Sequence, residues 1–310
     1  MSDTFFTASP HWRWLIILYF FVGGIAGGGY FIAALLQWFG RGRPEDRPLI
    51  RIGYALGFWG AVISGALLTL DLGRPLRFWH MLFQSENFPS LMFKSWSPIS
   101  FGAWAILLFG ACAALSMIGA WSEEGRVRAP GAQLLQRGTW LAKLIAGLGG
   151  LFGFFVAGYT GVLLSVTNRP IWADSPWLGA LFLASGASTG AAALRLFGRR
   201  RGASERSIGW LASFDVQALI VELMILIVFI ASLWPIRQVW ISFWGFLLLF
   251  GVVGAGILWP LRLHFSPSAG AGFRNPAVMV LLGGFLLRVV VLLASDSIAV
   301  HHVASGGLIP

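Results

Sequence analysis

Ile52–Leu70, IGYALGFWGAVISGALLTL, runs straight into Asp71–Pro75, DLGRP. The first part is apolar and close to the ~20 residues that cross a bilayer as a helix. The second part stops that helix. Pro75 has no backbone N–H, and its ring clashes with a continuing helical turn. The following stretch, Leu76–Trp96, is mixed and polar, with Arg77, His80, Glu86, Asn87 and Lys94. Asp71 and Arg74 therefore sit where hydrocarbon meets water. A carboxylate at that depth is costly unless it has a partner or a task. What Asp71 and Arg74 face is the question the rest of the chain must answer.

Composition places the whole chain in the same class. Its 310 residues are 57% hydrophobic and 11% charged, against about 25% charged in soluble domains. The apolar runs are continuous rather than alternating, which argues for membrane helices and against a barrel. About eight spans are expected, an all-α integral membrane fold: Leu15–Phe39, Ile52–Leu70, Pro98–Trp121, Trp140–Leu164, Trp177–Phe197, Trp210–Leu233, Val239–Trp259 and Pro276–Ala294. Trp14, Trp38, Trp121, Trp140, Trp177, Trp210, Trp234, Trp240 and Trp259 fall near span ends, as an aromatic belt places them.

A formal charge of +10 would suggest nucleic acid in a soluble protein. Here the arginines gather in short loops, so the charge reads as topology and the bilayer as the partner. Arg41, Arg43, Arg47 and Arg51 belong to the first loop, Arg126, Arg128 and Arg137 to the third. Arg195, Arg199, Arg200, Arg201 and Arg206 fall to the fifth, Arg262 and Arg274 to the seventh. The even loops are poorer. The positive-inside rule then puts the odd loops in the cytoplasm, both termini outside, and the Asp71 mouth on the outer face. The expected location is the cytoplasmic membrane of a prokaryote. Met1–Trp14 lacks a basic n-region and a small-residue cleavage site, and reads as a short outer arm rather than a signal peptide.

Several residues inside the spans need a reason. Gly23-Gly24-Ile25-Ala26-Gly27-Gly28-Gly29 puts small residues four apart, the spacing that lets a second helix approach closely. A flat ring is a second use of that space. The fifth span carries Ala184-Ser185-Gly186-Ala187-Ser188-Thr189-Gly190-Ala191, again first a packing face, with hydroxyls that suit a water-filled path. Tyr159 lies slightly below the outer surface, and a buried phenol usually finds a hydrogen-bond partner. In the sixth span, Asp215 and Glu222 are seven residues apart, about two turns or ~10.5 Å along one helix face. Arg288 lies near mid-membrane in the eighth, with Asp296 near its outer end. An isolated charge at the bilayer centre costs ~2.5–3.5 kcal/mol or more, so Glu222 and Arg288 call for an ion pair or a polar path. A proton relay through Asp215, Glu222 and Arg288 is the functional form of that expectation.

The residue inventory narrows the chemistry. Cys112 is the only cysteine, so the chain by itself builds no disulfide, iron–sulfur cluster or cysteine-based zinc site. His11, His80, His264, His301 and His302 fall in arms or loops by this reading, so haem b with paired intramembrane histidines is not expected, nor is a metal site. No phosphate loop or nucleophile triad is visible, and no catalytic centre is expected within the chain. Quinol oxidation fits these limits. It needs a hydrogen-bonding group such as Tyr159, an acidic group such as Asp71 and a positive group such as Arg74. It also needs an apolar slot for the ring and tail.

These motifs in this order resemble the NrfD/PsrC family, membrane anchors of polysulfide reductase and related iron–sulfur molybdoenzymes. The resemblance is carried by Gly23–Gly29, by Asp71-Leu72-Gly73-Arg74-Pro75 with Arg77-Phe78, and by Ser95-Trp96. Tyr159-Thr160-Gly161 through Ser165, Pro170-Ile171-Trp172 and Ala184-Ser185-Gly186 complete it. It implies two four-helix bundles without haem, here 15–164 and 177–296, within one polytopic domain of residues 1–310. The arm 1–14 and the tail 297–310 lie outside. It implies an exchangeable menaquinone or ubiquinone bound near the outer face in the first bundle, with Tyr159 at the quinone and Asp71, Arg74, Thr160 and His80 around it. It also implies a ferredoxin-like iron–sulfur subunit and a molybdopterin catalytic subunit on that face. The same likeness extends to proton translocation through Glu222, Asp215 and Arg288. The alternatives are a quinol-oxidising subunit of an alternative complex III-like or multihaem cytochrome assembly, and, further off, a stand-alone transporter.

Overall fold

Backbone amides in hydrocarbon have no water to bond, so a chain this apolar must satisfy them within helices. The computed structural model describes residues 12–40, 43–265 and 275–304, the side chains of 238 and 296–304 excepted. Among these residues, eight helices are long and apolar enough to span a membrane. They are α1 (Trp14–Phe39), α2 (Arg47–Asp71), α3 (Pro98–Glu123) and α4 (Trp140–Ser165). They continue as α5 (Leu178–Arg200), α6 (Glu205–Ser232), α7 (Phe243–Phe265) and α8 (Pro276–Ala304). The expected span count and helical class hold. Most of the expected outer arm and the end of the expected tail lie outside the described residues, as do the side chains of Asp296, His301 and His302.

Local chemistry explains the boundaries. Leu72 turns extended after Asp71, and Pro75 opens a short 3-10 helix, Pro75–Met81. Ser97, Thr139 and Ser204 each accept an amide hydrogen bond from the first turn of the helix they precede, which relieves one orphan donor per helix. The Ser204 cap lets α6 begin at Glu205, five residues before the expected Trp210. The seventh span starts later than expected, at Phe243 rather than Val239. Trp234–Ile241 is a 3-10 segment opened by Pro235, and Ser242 caps the true helix. Within α7, Leu247–Leu258 is wound as a π-helix.

One loop charge moves indoors. Arg195 was expected among the fifth-loop arginines. Instead α5 runs on to Arg200, and Arg195 is buried in its last turns.

Helix α1 is the hub. It packs against α2, α4 and α5 and touches α8, while α3 closes on α2 and α4. Helix α5 also meets α6 and α8, and α7 lies on α8. The glycine face of α1 makes this possible: a Cβ on Gly28 would run into the backbone carbonyl of Gly186 on α5. On the outer side, the buried Trp172 donates its indole N–H to the Val291 carbonyl at 2.8 Å and stacks on Trp12 at 5.7 Å.

Candidate functional site

The stop at Asp71 opens a cavity of about 600 Å³. Its walls come from the same end of four helices: Tyr19 and Phe20 of α1, Phe58 to Asp71 of α2, Ile99 to Ala111 of α3, and Tyr159 and Leu163 of α4. Phe78, Met81 and Leu82 of the segment after Pro75 close it over. The lining is mostly apolar, and its polar side chains are Asp71, Tyr159, Tyr19 and Thr69. The Thr69 hydroxyl is already given to the Gly65 carbonyl at 2.7 Å. Asp71, Tyr19 and Tyr159 are left to meet a guest.

Tyr159 is held from three sides. Its ring stacks on Phe155 with centroids 5.3 Å apart. Its hydroxyl donates to the carbonyl of Pro98, at the start of α3. The ring lies flat over Gly102, where any Cβ would overlap it. Asp71 ends α2, exposed at the mouth, with no ion pair among the described residues. A carboxylate at a helix C-terminus faces the negative end of the helix dipole, so helix placement gives it no stabilisation.

Two of the five residues expected around a quinone, Tyr159 and Asp71, line this cavity. Arg74, Thr160 and His80 do not. Arg74 caps the Pro75 segment on its exposed side. Thr160 is fully buried on another face of α4, its hydroxyl reaching the Ala157 carbonyl at 3.3 Å. The His80 ring lies 3.9 Å from that of Trp79 within the 3-10 segment. Sequence reading missed Tyr19 and Phe20. The available signal was spacing: Tyr19 lies one turn before Gly23, on the glycine face, and a Cβ on Gly23 would touch its ring at 3.6 Å.

The intramembrane charges form a second constellation. Arg288 is wholly buried. Its Nε donates to the Phe20 carbonyl at 3.1 Å, and its Nη1 to Ser185 Oγ at 3.1 Å and the Gly284 carbonyl at 2.6 Å. Nη2 has no hydrogen-bond partner among the described residues. The guanidinium also faces the Phe182 ring at 5.2 Å. Glu222 accepts from Ser188 Oγ at 2.7 Å. Glu222 and Arg288 therefore do not form a direct ion pair; Ser185 and Ser188 of α5 stand between them. Asp215, expected as an interface residue, is buried and paired with Arg195 at 2.6 Å. That pair lines a cavity of about 420 Å³ with Arg199 and His264. At the other end of the series, Phe20 both accepts from Arg288 and lines the cavity at Asp71.

Residues 3–299 match the family described as polysulphide reductase, NrfD. The C subunit of polysulfide reductase from Wolinella succinogenes is 26% identical over 309 residues, covering 92% of this chain and 94% of that protein. The NrfD homolog of Haemophilus influenzae is 28% identical over 318 residues, 94% of this chain and 96% of that one. Protein NrfD of Escherichia coli is 28% identical over 312 residues, with 94% and 95% covered.

Proposed function

The chain belongs to the polysulphide reductase, NrfD, family, and from that premise we propose that it is the quinone-reactive membrane anchor of a redox complex. It exchanges electrons between a menaquinone or ubiquinone pool and a partner iron–sulfur subunit. The observation that carries this reading is the apolar cavity of about 600 Å³ holding both Tyr159 and Asp71. That size lies within the ~300–1,000 Å³ of small-molecule sites. The lining suits a ring and the first part of an apolar tail, with few polar groups to fix orientation.

Oxidation of a quinol releases two electrons and two protons. Tyr159 turns its hydroxyl from the Pro98 carbonyl to one ring oxygen and fixes the ring. Asp71, at the wet mouth, takes up a proton and passes it to water. The electrons go to the partner. Leu76, Phe78, Phe88 and Trp96 are exposed on this same face. Such exposure at the mouth suits a docked subunit, here a ferredoxin-like iron–sulfur protein leading to a molybdopterin catalytic subunit. The likeness to the polysulfide reductase subunit supports that partner type. The likeness to the NrfD proteins supports a multihaem cytochrome assembly as the alternative.

The test is quinol oxidation by the complex purified in mild detergent, with its partners identified by mass spectrometry. Tyr159→Phe is expected to slow oxidation roughly tenfold, the scale of one hydrogen bond of ~1.4 kcal/mol. Asp71→Asn is expected to slow it about a hundredfold, as for loss of a proton acceptor. Unchanged rates in both variants would end the assignment of the site.

A second reading is favoured by a separate observation. Asp215, Glu222, Ser188, Ser185 and Arg288 run in series from the cavity at Arg195 to Phe20 at the wall of the quinone cavity. Such a series supports proton movement coupled to quinol oxidation.

A further inference from the structure

Across the molecule from the Asp71 mouth, the other ends of the first four helices surround a cavity of about 620 Å³. Its charged lining is Arg43, Arg47, Arg51, Arg137 and Lys143 against the single carboxylate Glu123. These residues come from separate places: the linker after α1, the first turns of α2, the end of α3, the loop before α4, and the first turn of α4. The fold therefore gathers five cations that the sequence scatters over a hundred positions.

The local carboxylates do not neutralise them. Glu123 and Glu124 both pair with Arg51, at 3.5 Å and 3.1 Å, and Glu124 also pairs with Arg126. Among the described residues, no ion pair reaches Arg43, Arg47, Arg137 or Lys143. Arg47 and Arg51 stand one turn apart on α2, where like charges repel. Arg51 Nε is buried with no hydrogen-bond partner among the described residues. Burial pulls the Arg137 guanidinium below its ordinary pKa; Glu123 opposes this, and Arg47 and Arg51 push the same way as burial. The start of α4 adds the positive end of a helix dipole beside Lys143. Cations so crowded are expected to be relieved by an anion.

The surroundings say which kind of anion. Trp38 is half exposed at the rim, its indole N–H locked to the Lys143 carbonyl at 2.9 Å. Trp140 and Phe39 are exposed beside it. Tryptophans of this sort mark headgroup depth, and Leu144 and Leu148 continue down the outside of α4 as an exposed apolar strip. An arginine fork is suited to bidentate binding of a phosphate, and basic pockets between membrane helices on the positively charged face take anionic headgroups.

We propose that this cavity binds the phosphate of an anionic phospholipid, with Arg47, Arg137 and Lys143 on the headgroup and the acyl chains along Leu144 and Leu148. This inference does not rest on the quinone reading. The site lies on the opposite face, and its ligand is structural rather than redox-active.

The experiment follows thermal unfolding of the full chain, in the complex in which it is purified. The complex is reconstituted in phosphatidylcholine vesicles, alone or doped with phosphatidylglycerol or cardiolipin. Anionic lipid is expected to raise the unfolding temperature of the wild type. The rise is expected to vanish in the Arg47→Gln/Arg137→Gln double variant and to shrink in the milder Lys143→Gln. It is expected to persist in Arg128→Gln, which removes a loop charge outside the cavity. Inorganic phosphate added to pure phosphatidylcholine is expected to give no rise. Equal unfolding temperatures in neutral and anionic vesicles would overturn the proposal, and so would a rise that survives both cavity variants. A rise produced by inorganic phosphate alone and lost in the double variant would overturn the lipid source and leave a soluble phosphate ester as the ligand.

Discussion

Tyr159 does not hold its position alone; the absent side chain of Gly102 holds it too. The phenol ring occupies the place where a Cβ on Gly102 would stand, and that overlap lets the hydroxyl reach the Pro98 carbonyl. Gly102→Ala must push the ring out of its slot. In the quinone reading, the hydroxyl is then misaimed although the chemistry of Tyr159 is intact. Gly102→Ala is expected to slow quinol oxidation to an extent similar to Tyr159→Phe. The Gly102→Ala/Tyr159→Phe double variant is expected to lose little more, because residues acting through one contact are not additive. A double-mutant cycle on the oxidation rate checks this, and additive losses would separate Gly102 from Tyr159. At this scale the site was partly legible. A phenol and a carboxylate near outer span ends stand out against apolar sequence, and both line the cavity. Tyr19 and Phe20 did not stand out, because an aromatic residue facing a cavity looks in sequence like one facing lipid.

Among the elements, α1 and α5 decide how tightly the molecule closes. Their backbones approach where Gly28 meets the Gly186 carbonyl. Small residues four apart on α1 and the Ala/Ser/Gly run of α5 predicted such faces, because close approach in a membrane needs small side chains. The sequence alone did not say that these two faces meet each other. Gly28→Ala places a methyl group against backbone that cannot rotate away. The expected cost is about 1–3 kcal/mol, as for other overpacked cores, seen as a lower unfolding temperature in detergent. Gly209→Ala on α6, where nothing lies within 4 Å of the added Cβ, is the matched control and is expected to leave that temperature unchanged. The element boundaries show the same division between local and tertiary information. Hydropathy located all eight spans, since it is a local property. It also left Arg195 with the loop charges, because an arginine just before Arg199-Arg200-Arg201 reads as topology. Only the fold supplies Asp215 as its partner at 2.6 Å.

For the whole molecule, the polar series matters because it joins two cavities that open at opposite ends. It begins at the Arg195–Asp215 pair, passes Glu222 and Ser188, and continues through Ser185 and Arg288 to the Phe20 carbonyl. A merely structural arrangement would neutralise Glu222 directly on Arg288. Instead, two hydroxyls that can donate and accept in turn are interposed, and Arg288 Nη2 is left open among the described residues. Glu222→Gln separates the structural and relay roles. The amide still accepts from Ser188, so packing and unfolding temperature are expected to hold within about 0.5–1 kcal/mol. It no longer binds and releases a proton. In proteoliposomes, quinol oxidation under uncoupled conditions is expected to continue while protons moved per electron fall. The measurement is simultaneous recording of internal pH and quinone absorbance after a quinol pulse. A wild-type stoichiometry in Glu222→Gln would make the series a structural brace around α5. A reduced stoichiometry that Ser188→Ala reproduces, with oxidation still running, would place the proton route on this side of the molecule and tie it to the Phe20 wall of the quinone cavity.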